Sequence, residues 1–312
     1  MIAFVLRRLG QTLPVLVGVS VVTWALVSLA PGDPAQIYAR QFSESGFPSQ
    51  AEIARARQRL GLDGGVVEQY LRWAGSAVTG DLGVSFRSGS PVTAELAARL
   101  PATLQLAFAA MAVIVLVGVT FGVAAALTRD RWPDLLLRGV ALLGGAVPSF
   151  VLALLLIGVF AVSLGWLPSV GRGGWRHVVL PAAALGLAGC GVFVRLVRAA
   201  LLDSLAQEYV LAARARGLGE WAVVVRHALR NALAPVISQL GLTFGLLLSG
   251  AAIIEVIFAW PGAGKLAVDA INARDYPVVQ GFVLASTLAY IAVNLAVDVA
   301  HRLLDPRVGD RR

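Results

Sequence analysis

The stretch EYVLAARARGLGEWAVVVRHALRNALAP, residues 208–235, interrupts a chain that is otherwise strongly apolar. It lies between two long runs that contain no charged side chain. Its alanines and leucines favour helix, and no glycine or proline breaks it before Gly217. It also carries four arginines, Arg214, Arg216, Arg226 and Arg230. Two questions therefore decide the fold. The first is whether the apolar runs lie in a membrane or in a protein core, and the second is on which side of them this basic segment lies.

The composition of the chain excludes an ordinary soluble protein. Apolar residues make up 58% of the 312 residues and charged residues only 14%, whereas soluble domains are about 25% charged. The net charge of +8 fits cytoplasmic loops held against anionic lipid better than a nucleic-acid partner. Cys190 is the only cysteine, which excludes an intrachain disulfide and argues against a cysteine-based metal site. The sequence therefore predicts an integral membrane protein.

Six intervals without Asp, Glu, Lys or Arg are long enough to be transmembrane helices. The ten-residue alternation typical of a membrane β-barrel is absent, so the sequence predicts an all-α polytopic membrane protein. The first interval follows Arg7 and Arg8 as a secretory signal would, but it is longer than a signal core and is expected to be retained as a helix. The intervals are 9–32, 100–128, 139–171, 177–194, 231–254 and 276–297.

The basic residues of the short flanking segments predict the orientation. With the N-terminus inside, the inside segments hold 15 arginines, and the short outside loops hold four basic residues. This excess indicates an N-in, C-in topology, since positive charge concentrates on the cytoplasmic side. The basic stretch then belongs to a cytoplasmic segment, residues 201–236, between the fourth and fifth spans.

Segment 201–236 is long enough for two helices, and we call it the elbow. Asp203 or Ser204 is a plausible N-cap for the first helix, and the second follows Gly217-Leu218-Gly219. The first helix offers small residues for close approach, and the second offers Arg226 and Arg230. The residues alone leave two interpretations open. The elbow is either an amphipathic pair that packs on the bundle or an element that docks in a groove of a partner.

Residues 33–99 are predicted to form a small extracytoplasmic lid. Ser49 and Glu52 have the spacing of a capping box, and Gly61 is a suitable helix terminator. A second helix is predicted over 66–78, and turn residues precede TAELAARL. The lid is too short and too polar to be a catalytic domain of its own.

Few residues point to chemistry. The three histidines have no metal-ligand spacing, and PGAGKL (261–266) lacks the first glycine and the final Ser or Thr of a phosphate-binding loop. We therefore predict no catalytic residue and no metal site. Glu255 and Asp298 lie beside predicted spans, where an ionisable residue suggests a pathway or a gate. A solvated position at the membrane interface is the alternative for both.

Several stretches together resemble a known family. Leu211-Ala212-Ala213, three residues, Gly217, nine residues and then His227-Ala228-Leu229-Arg230 are similar to the coupling-loop pattern E-A-A, x3, G, x9, I-x-L-P of ABC-importer permeases. The Glu and the I-x-L-P ending are replaced, as in the peptide and nickel branch. The other matching stretches are RRLGQTLPVLVGVSVVTWALVSLAPGDPA (7–35), QYLRWAGSAVTGDLGVSFRSGSPV (69–92), ARLPATLQLA (98–107), FAWPGAGKL (258–266), RDYPVVQG (274–281) and LLDPRV (303–308).

The resemblance covers nearly the whole chain, in the right order, and is to the B-type permease subunit of dipeptide, oligopeptide and nickel importers. It implies the type I ABC-importer permease fold, a multi-pass location in the cytoplasmic membrane and a non-catalytic subunit. The implied divisions are an N-terminal transmembrane helix (1–32), an extracytoplasmic region (33–96), a permease domain (97–302) and a tail (303–312). Peptide uptake is the first expectation and nickel or a metal chelate the alternative. An ATP-independent channel or secondary transporter is the alternative of a different class.

The resemblance also implies partners. These are a second homologous permease, two ATP-binding-cassette ATPases, an extracytoplasmic binding protein near 33–99 and 259–275, and membrane lipid, but no nucleic acid. This chain would bind no cofactor, with ATP and Mg held by the ATPases. Closure of the ATPases would move the elbow as a lever. The residues expected to couple to the ATPase are Glu208, Tyr209, Ala212, Ala213, Arg216, Gly217 and Leu218.

Overall fold

The computed structural model describes residues 2–29, 32–43 and 46–304, and its regular structure there is helical apart from one isolated bridge between Val84 and Pro91. Two π-helical segments, Ile157–Ser163 and Val223–Ala228, continue α7 and precede α11. The helices are α1 (Ile2–Ser28), α2 (Pro34–Phe42), α3 (Gln50–Arg59), α4 (Val66–Val78), α5 (Val92–Leu127), α6 (Trp132–Ala146), α7 (Ser149–Leu156), α8 (Trp175–Leu205), α9 (Glu208–Ala215), α10 (Glu220–Ala222), α11 (Leu229–Ile257), α12 (Ala263–Ala273) and α13 (Tyr276–Leu304).

Within the described residues, four helices are long and apolar enough to cross a membrane unaided. They are Gly10–Ser28 of α1, all of α5 and α8, and Tyr276–Val299 of α13. Two further candidates are bent pairs, namely α6 with Ser149–Ser163 and Glu220–Leu233 with Pro235–Leu248. The described chain therefore has four spans, or six if each bent pair counts as one, which makes the expected number of six approximate.

The interval 139–171, which was counted as one candidate span, is not one straight helix. That run is split between α6 and α7, whose paired segments meet at an angle of 102°. Pro148 explains the break, because proline lacks an N–H donor and its ring disfavours the helical conformation in the preceding residue. Val147 is extended accordingly, with φ −86° and ψ 123°. The fourth run, 177–194, is short, but its helix was expected to continue past Arg195 and Arg198, and α8 does extend to Leu205.

The chain divides into two compact units, with boundaries within α5, between α11 and α12, and within α13. One unit comprises Met1–Thr103 with Pro261–Ile291, and the other comprises Leu104–Trp260 with Ala292–Arg312. Each unit has its own buried apolar clusters. The first contains the predicted lid, and the second contains the predicted elbow.

The first helix predicted in the lid is present, and the structure also contains a helix that was not predicted there. Ser49 and Glu52 form the capping box at the start of α3, and Gly61, with φ +65°, follows its end. The helix predicted over 66–78 is α4. Helix α2 was not predicted, and TAELAARL is the beginning of α5 rather than a separate element. Buried Tyr38, Phe86 and Tyr276 pack edge-to-face in this unit.

Helix α8 is the centre of the second unit and packs against α6, α7 and α11. Its contact with α6 is unusually close at Gly191. A Cβ atom placed there would lie only 2.2 Å from the carbonyl oxygen of Ala141. Only glycine allows two helix backbones to approach this closely, so Gly191 fixes the spacing of α6 and α8.

Candidate functional site: the elbow

The elbow consists of a short helix, a turn and a second arm that continues into the fifth apolar run. The prediction of an N-cap at Asp203 or Ser204 is wrong, because both residues belong to the end of α8. The first elbow helix is α9, which begins at Glu208 after Gln207. The second arm runs through α10 and a π-helical segment into α11, and this continuous helix bends by 50° between Glu220–Leu233 and Pro235–Leu248. A movement of the elbow would therefore act directly on α8 and α11.

Gly217 makes the turn between the two arms. It has φ +77° and lies just beyond the last residues of α9. The Gly217 amide donates to the Arg214 carbonyl at 2.9 Å, and the Leu218 amide donates to the Ala213 carbonyl at 3.4 Å. This pair of hydrogen bonds is the Schellman motif, whose left-handed position favours glycine. Gly217 is therefore required by backbone conformation.

An ion pair clamps the turn from outside. Both terminal oxygens of Glu220 accept hydrogen bonds from Arg214, one from Nε at 3.1 Å and one from Nη2 at 2.5 Å. The carboxylate raises the pKa of the Arg214 guanidinium above its usual value. The two residues lie on opposite sides of the Gly217 turn, so the pair restrains the angle between the arms.

The inner face of α9 is anchored in a buried apolar cluster. Val210 and Ala213, three positions apart, lie on the same side of the helix and are 0% and 5% exposed. They belong to one cluster with Leu201 of α8 and Ala126 of α5. The remaining buried members are Val223, Val224, Ala228 and Ala232 of the second arm. The elbow is therefore packed on the ends of α5 and α8.

A hydroxyl network reinforces this anchor. Ser204, 7% exposed, donates from Oγ to the Ala228 carbonyl at 2.8 Å. Its oxygen is also hydrogen-bonded to the Tyr209 hydroxyl. A serine hydroxyl has one proton, so Tyr209 is the donor in that second bond. The network joins α8, α9 and the second arm.

The outer face of α9 is exposed. Glu208, Leu211, Ala212 and Ala215 share the side opposite Val210 and Ala213 and are exposed to solvent. The side chains of this outer face project little from the helix, because two of the four, those of Ala212 and Ala215, are methyl groups. Arg226 and Arg230 of the second arm are also exposed, as expected.

The structure brings the seven predicted coupling residues together in one segment but gives them different positions. Ala213 is buried, so it supports the surface rather than forming it. Tyr209 is 39% exposed, and its hydroxyl is held by Ser204. Glu208, Ala212, Arg216, Gly217 and Leu218 are exposed.

Sequence reasoning missed Ser204 as a link between the arms and Glu220 as the partner of Arg214. The Arg214–Glu220 contact could have been expected, because these opposite charges lie six positions apart and flank a predicted turn. The Ser204–Ala228 contact could not, because the two residues are 24 positions apart in the chain.

The two candidate gate residues have different surroundings. Glu255 of α11 is fully buried within its unit, and its backbone carbonyl accepts the amide of buried Trp260 at 2.7 Å. The alternative of a solvated interfacial position is therefore wrong for Glu255 in this structure. Asp298 of α13 is partly exposed. Among the described residues, no three His, Cys, Asp or Glu side chains converge as a metal site would require.

Comparison with known proteins covers nearly the whole chain. Residues 118–310 match the family "Binding-protein-dependent transport system inner membrane component", and residues 1–107 match its N-terminal counterpart. The "Glutathione transport system permease protein GsiC" of Escherichia coli K12 is 42% identical over 309 residues, which is 99% of each chain. The protein of that name from Salmonella paratyphi A is 42% identical over 308 residues, again 99% of each chain.

A solved structure supports the fold. The inward-facing MetNI methionine ABC transporter matches with a TM-score of 0.58 at 19% identity, over 68% of this chain and 96% of that one. A second crystal form of MetNI matches with a TM-score of 0.55 at 18% identity, over 67% and 96%. At this identity the likeness concerns the fold alone. The sequence matches show more: the chain belongs to the binding-protein-dependent inner membrane components, the non-catalytic permease subunits of ABC importers, in which a partner ATPase hydrolyses ATP.

Proposed function

We propose that this permease subunit takes up peptides, with glutathione-like peptides as the first candidates. One observation carries the choice of substrate: the relatives named as glutathione permeases are 42% identical over 99% of both chains. A sequence identity of 42% over 99% of both chains supports a shared substrate class more strongly than a shared fold does.

In the proposed assembly the chain pairs with a second homologous permease and two ATPase subunits, which hold ATP and Mg. An extracytoplasmic binding protein delivers the peptide. The exposed outer face of α9, with Glu208, Leu211, Ala212 and Ala215, enters a groove on one ATPase. The buried cluster under α9 transmits the movement of that ATPase to α8 and α11, as alternating access requires.

Fully buried Glu255 is the better of the two gate candidates, because an ionisable side chain inside a membrane protein is retained for function or for a specific partner. Asp298 is the second candidate. Both lie in helices that the elbow's movement could reach through the same unit.

The test is uptake by the complete transporter in lipid vesicles. Labelled glutathione, a labelled dipeptide and Ni²⁺ are supplied with the binding protein, with and without internal ATP. We expect accumulation of a peptide that needs both ATP and the binding protein. Uptake of Ni²⁺ alone would support the metal alternative and overturn the peptide proposal. Uptake without ATPase subunits would instead indicate a channel or a secondary transporter.

A second experiment tests the elbow as the coupling surface. Ala212→Trp places a large side chain on the outer face of α9 without touching the buried cluster. We expect loss of ATPase copurification while the two permease subunits remain associated. Normal copurification and uptake by this variant would contradict the proposed role of the outer face.

A further inference from the structure

An ion pair between buried Asp134 and partly buried Arg198 joins the first turn of α6 to α8 on the predicted cytoplasmic side. Asp134 is 2% exposed, and its two carboxylate oxygens accept hydrogen bonds from Arg198, from Nε at 2.8 Å and from Nη2 at 2.6 Å. The Asp130 amide also donates to this carboxylate, at 3.2 Å. The planar fork of arginine makes such a bidentate contact directional as well as strong.

α6 packs against α8 over several residues, and the ion pair lies at one end of this contact. The close backbone contact between Ala141 and Gly191 lies further along it. Asp134 is seven positions from Ala141, and Arg198 is seven positions from Gly191, which is about 10 Å, or two turns. The ion pair therefore adds a directional restraint at the end of α6, about two turns from the closest backbone contact.

The pair also lies beside the anchor of the elbow. Leu201 and Ser204 follow Arg198 on α8 by about one and two turns. Leu201 packs against Val210 and Ala213 of the elbow, and Ser204 bonds to the second arm. Because Arg198, Leu201 and Ser204 belong to the same helix, a displacement of the elbow would also move Arg198. The ion pair with Asp134 then connects Arg198 to α6.

We propose that Asp134 and Arg198 are positioning residues that make α6 move together with the elbow. The inference rests on the proposed function of the elbow as the ATPase contact. The pair passes the movement of α8 to α6, and α6 passes it to the bend at Val147–Pro148. Buried ion pairs add little stability compared with apolar packing, so directional coupling is the better reason for this one.

The first test measures uptake and ATP hydrolysis together, in vesicles containing the complete transporter. Asp134→Asn and Arg198→Gln each remove one charge of the pair; the first keeps the side-chain volume, and the second leaves a shorter polar side chain. We expect the amount of peptide moved per ATP hydrolysed to fall about tenfold, a typical allosteric coupling factor, while the ATPase subunits still copurify. The control is Arg129→Gln, which breaks the neighbouring exposed pair with Asp130 and should leave the ratio unchanged.

The second test measures distance rather than activity. In a chain carrying Cys190→Ala, spin labels replace exposed Arg138 of α6 and Arg195 of α8. We expect one narrow distance distribution in the nucleotide-free and ATP-bound wild-type complexes, and a broad one in Asp134→Asn. A wild-type distance that changes between the two states would overturn the inference. So would single variants with a wild-type transport ratio. Failure of the wild-type complex to show ATP-driven uptake would instead refute the proposed function itself.

Discussion

Asp275 holds Ser85 beneath the surface of the first unit, although the two residues are 190 positions apart. Each is 2% exposed. The Ser85 hydroxyl donates to the Asp275 carboxylate at 2.5 Å, and the Phe86 and Arg87 amides donate to it at 2.9 and 3.2 Å. Within the described residues this carboxylate is held by hydrogen bonds rather than by a cation, so the loop around Ser85 depends on one side chain.

Removing that side chain should loosen the loop. Asp275→Ala leaves two buried donors, the Ser85 hydroxyl and the Phe86 amide, without this acceptor, and each unsatisfied donor costs about 1–3 kcal/mol. We expect the thermal unfolding temperature of the purified protein to fall and protease cleavage within 82–91 to accelerate. The control is Asp269→Ala, which breaks a partly exposed pair with Lys265 and should change stability by less than about 1 kcal/mol. Equal effects of the two variants would contradict this role for Asp275.

The contact of α6 with α8 offers a matched pair of glycines. Gly191→Ala should be strongly destabilising, because the added Cβ would lie 2.2 Å from the Ala141 carbonyl and the helices must separate. Overpacking of this kind costs about 1–3 kcal/mol. Gly145→Ala, on the facing helix, should be tolerated, because its Cβ would meet its nearest neighbour at 4.0 Å. Thermal unfolding in detergent compares them, and an unchanged midpoint for Gly191→Ala would show that the contact is looser than described.

The clamp between Arg214 and Glu220 should contribute little to global stability. Its side chains are 40% and 59% exposed, and ion pairs in contact with water are weak. A double-mutant cycle with Arg214→Gln and Glu220→Gln should give only a small coupling energy at low salt. At about 1 M salt the coupling should largely disappear, because the charges are screened over a few ångströms. A larger, salt-independent value would mean that the pair is shielded from solvent.

The predictions that succeeded rested on local signals. The capping box of Ser49 and Glu52 and the left-handed turn at Gly217 depend on residues within a few positions, and the structure has both. The long apolar runs also located the spanning helices approximately. These features follow from the chain's own conformational preferences and from the membrane as solvent.

The failures came from interactions that the local sequence does not specify. Ser204 has the form of an N-cap, but its hydroxyl bonds to Ala228, 24 positions away. Asp134 and Arg198 each resemble an ordinary cytoplasmic charge, and only the packing of α6 on α8 reveals the buried pair. Pro148 was the exception, because a proline within an apolar run was a visible reason to expect a break.

Gly217 provides the sharpest test of the elbow, because an adjacent glycine serves as its control. A Cβ at Gly217 or at Gly219 would meet nothing within 4 Å, so the two differ in backbone conformation rather than in space. Gly217 has φ +77°, where an L-residue costs about 1–2 kcal/mol and a β-branched one more. Gly219 has φ −63° and ψ 147°, which valine adopts readily. We expect Gly217→Val to abolish uptake while the protein still inserts in the membrane, and Gly219→Val to transport normally. Wild-type uptake by Gly217→Val would show that the angle between the arms is not needed for coupling.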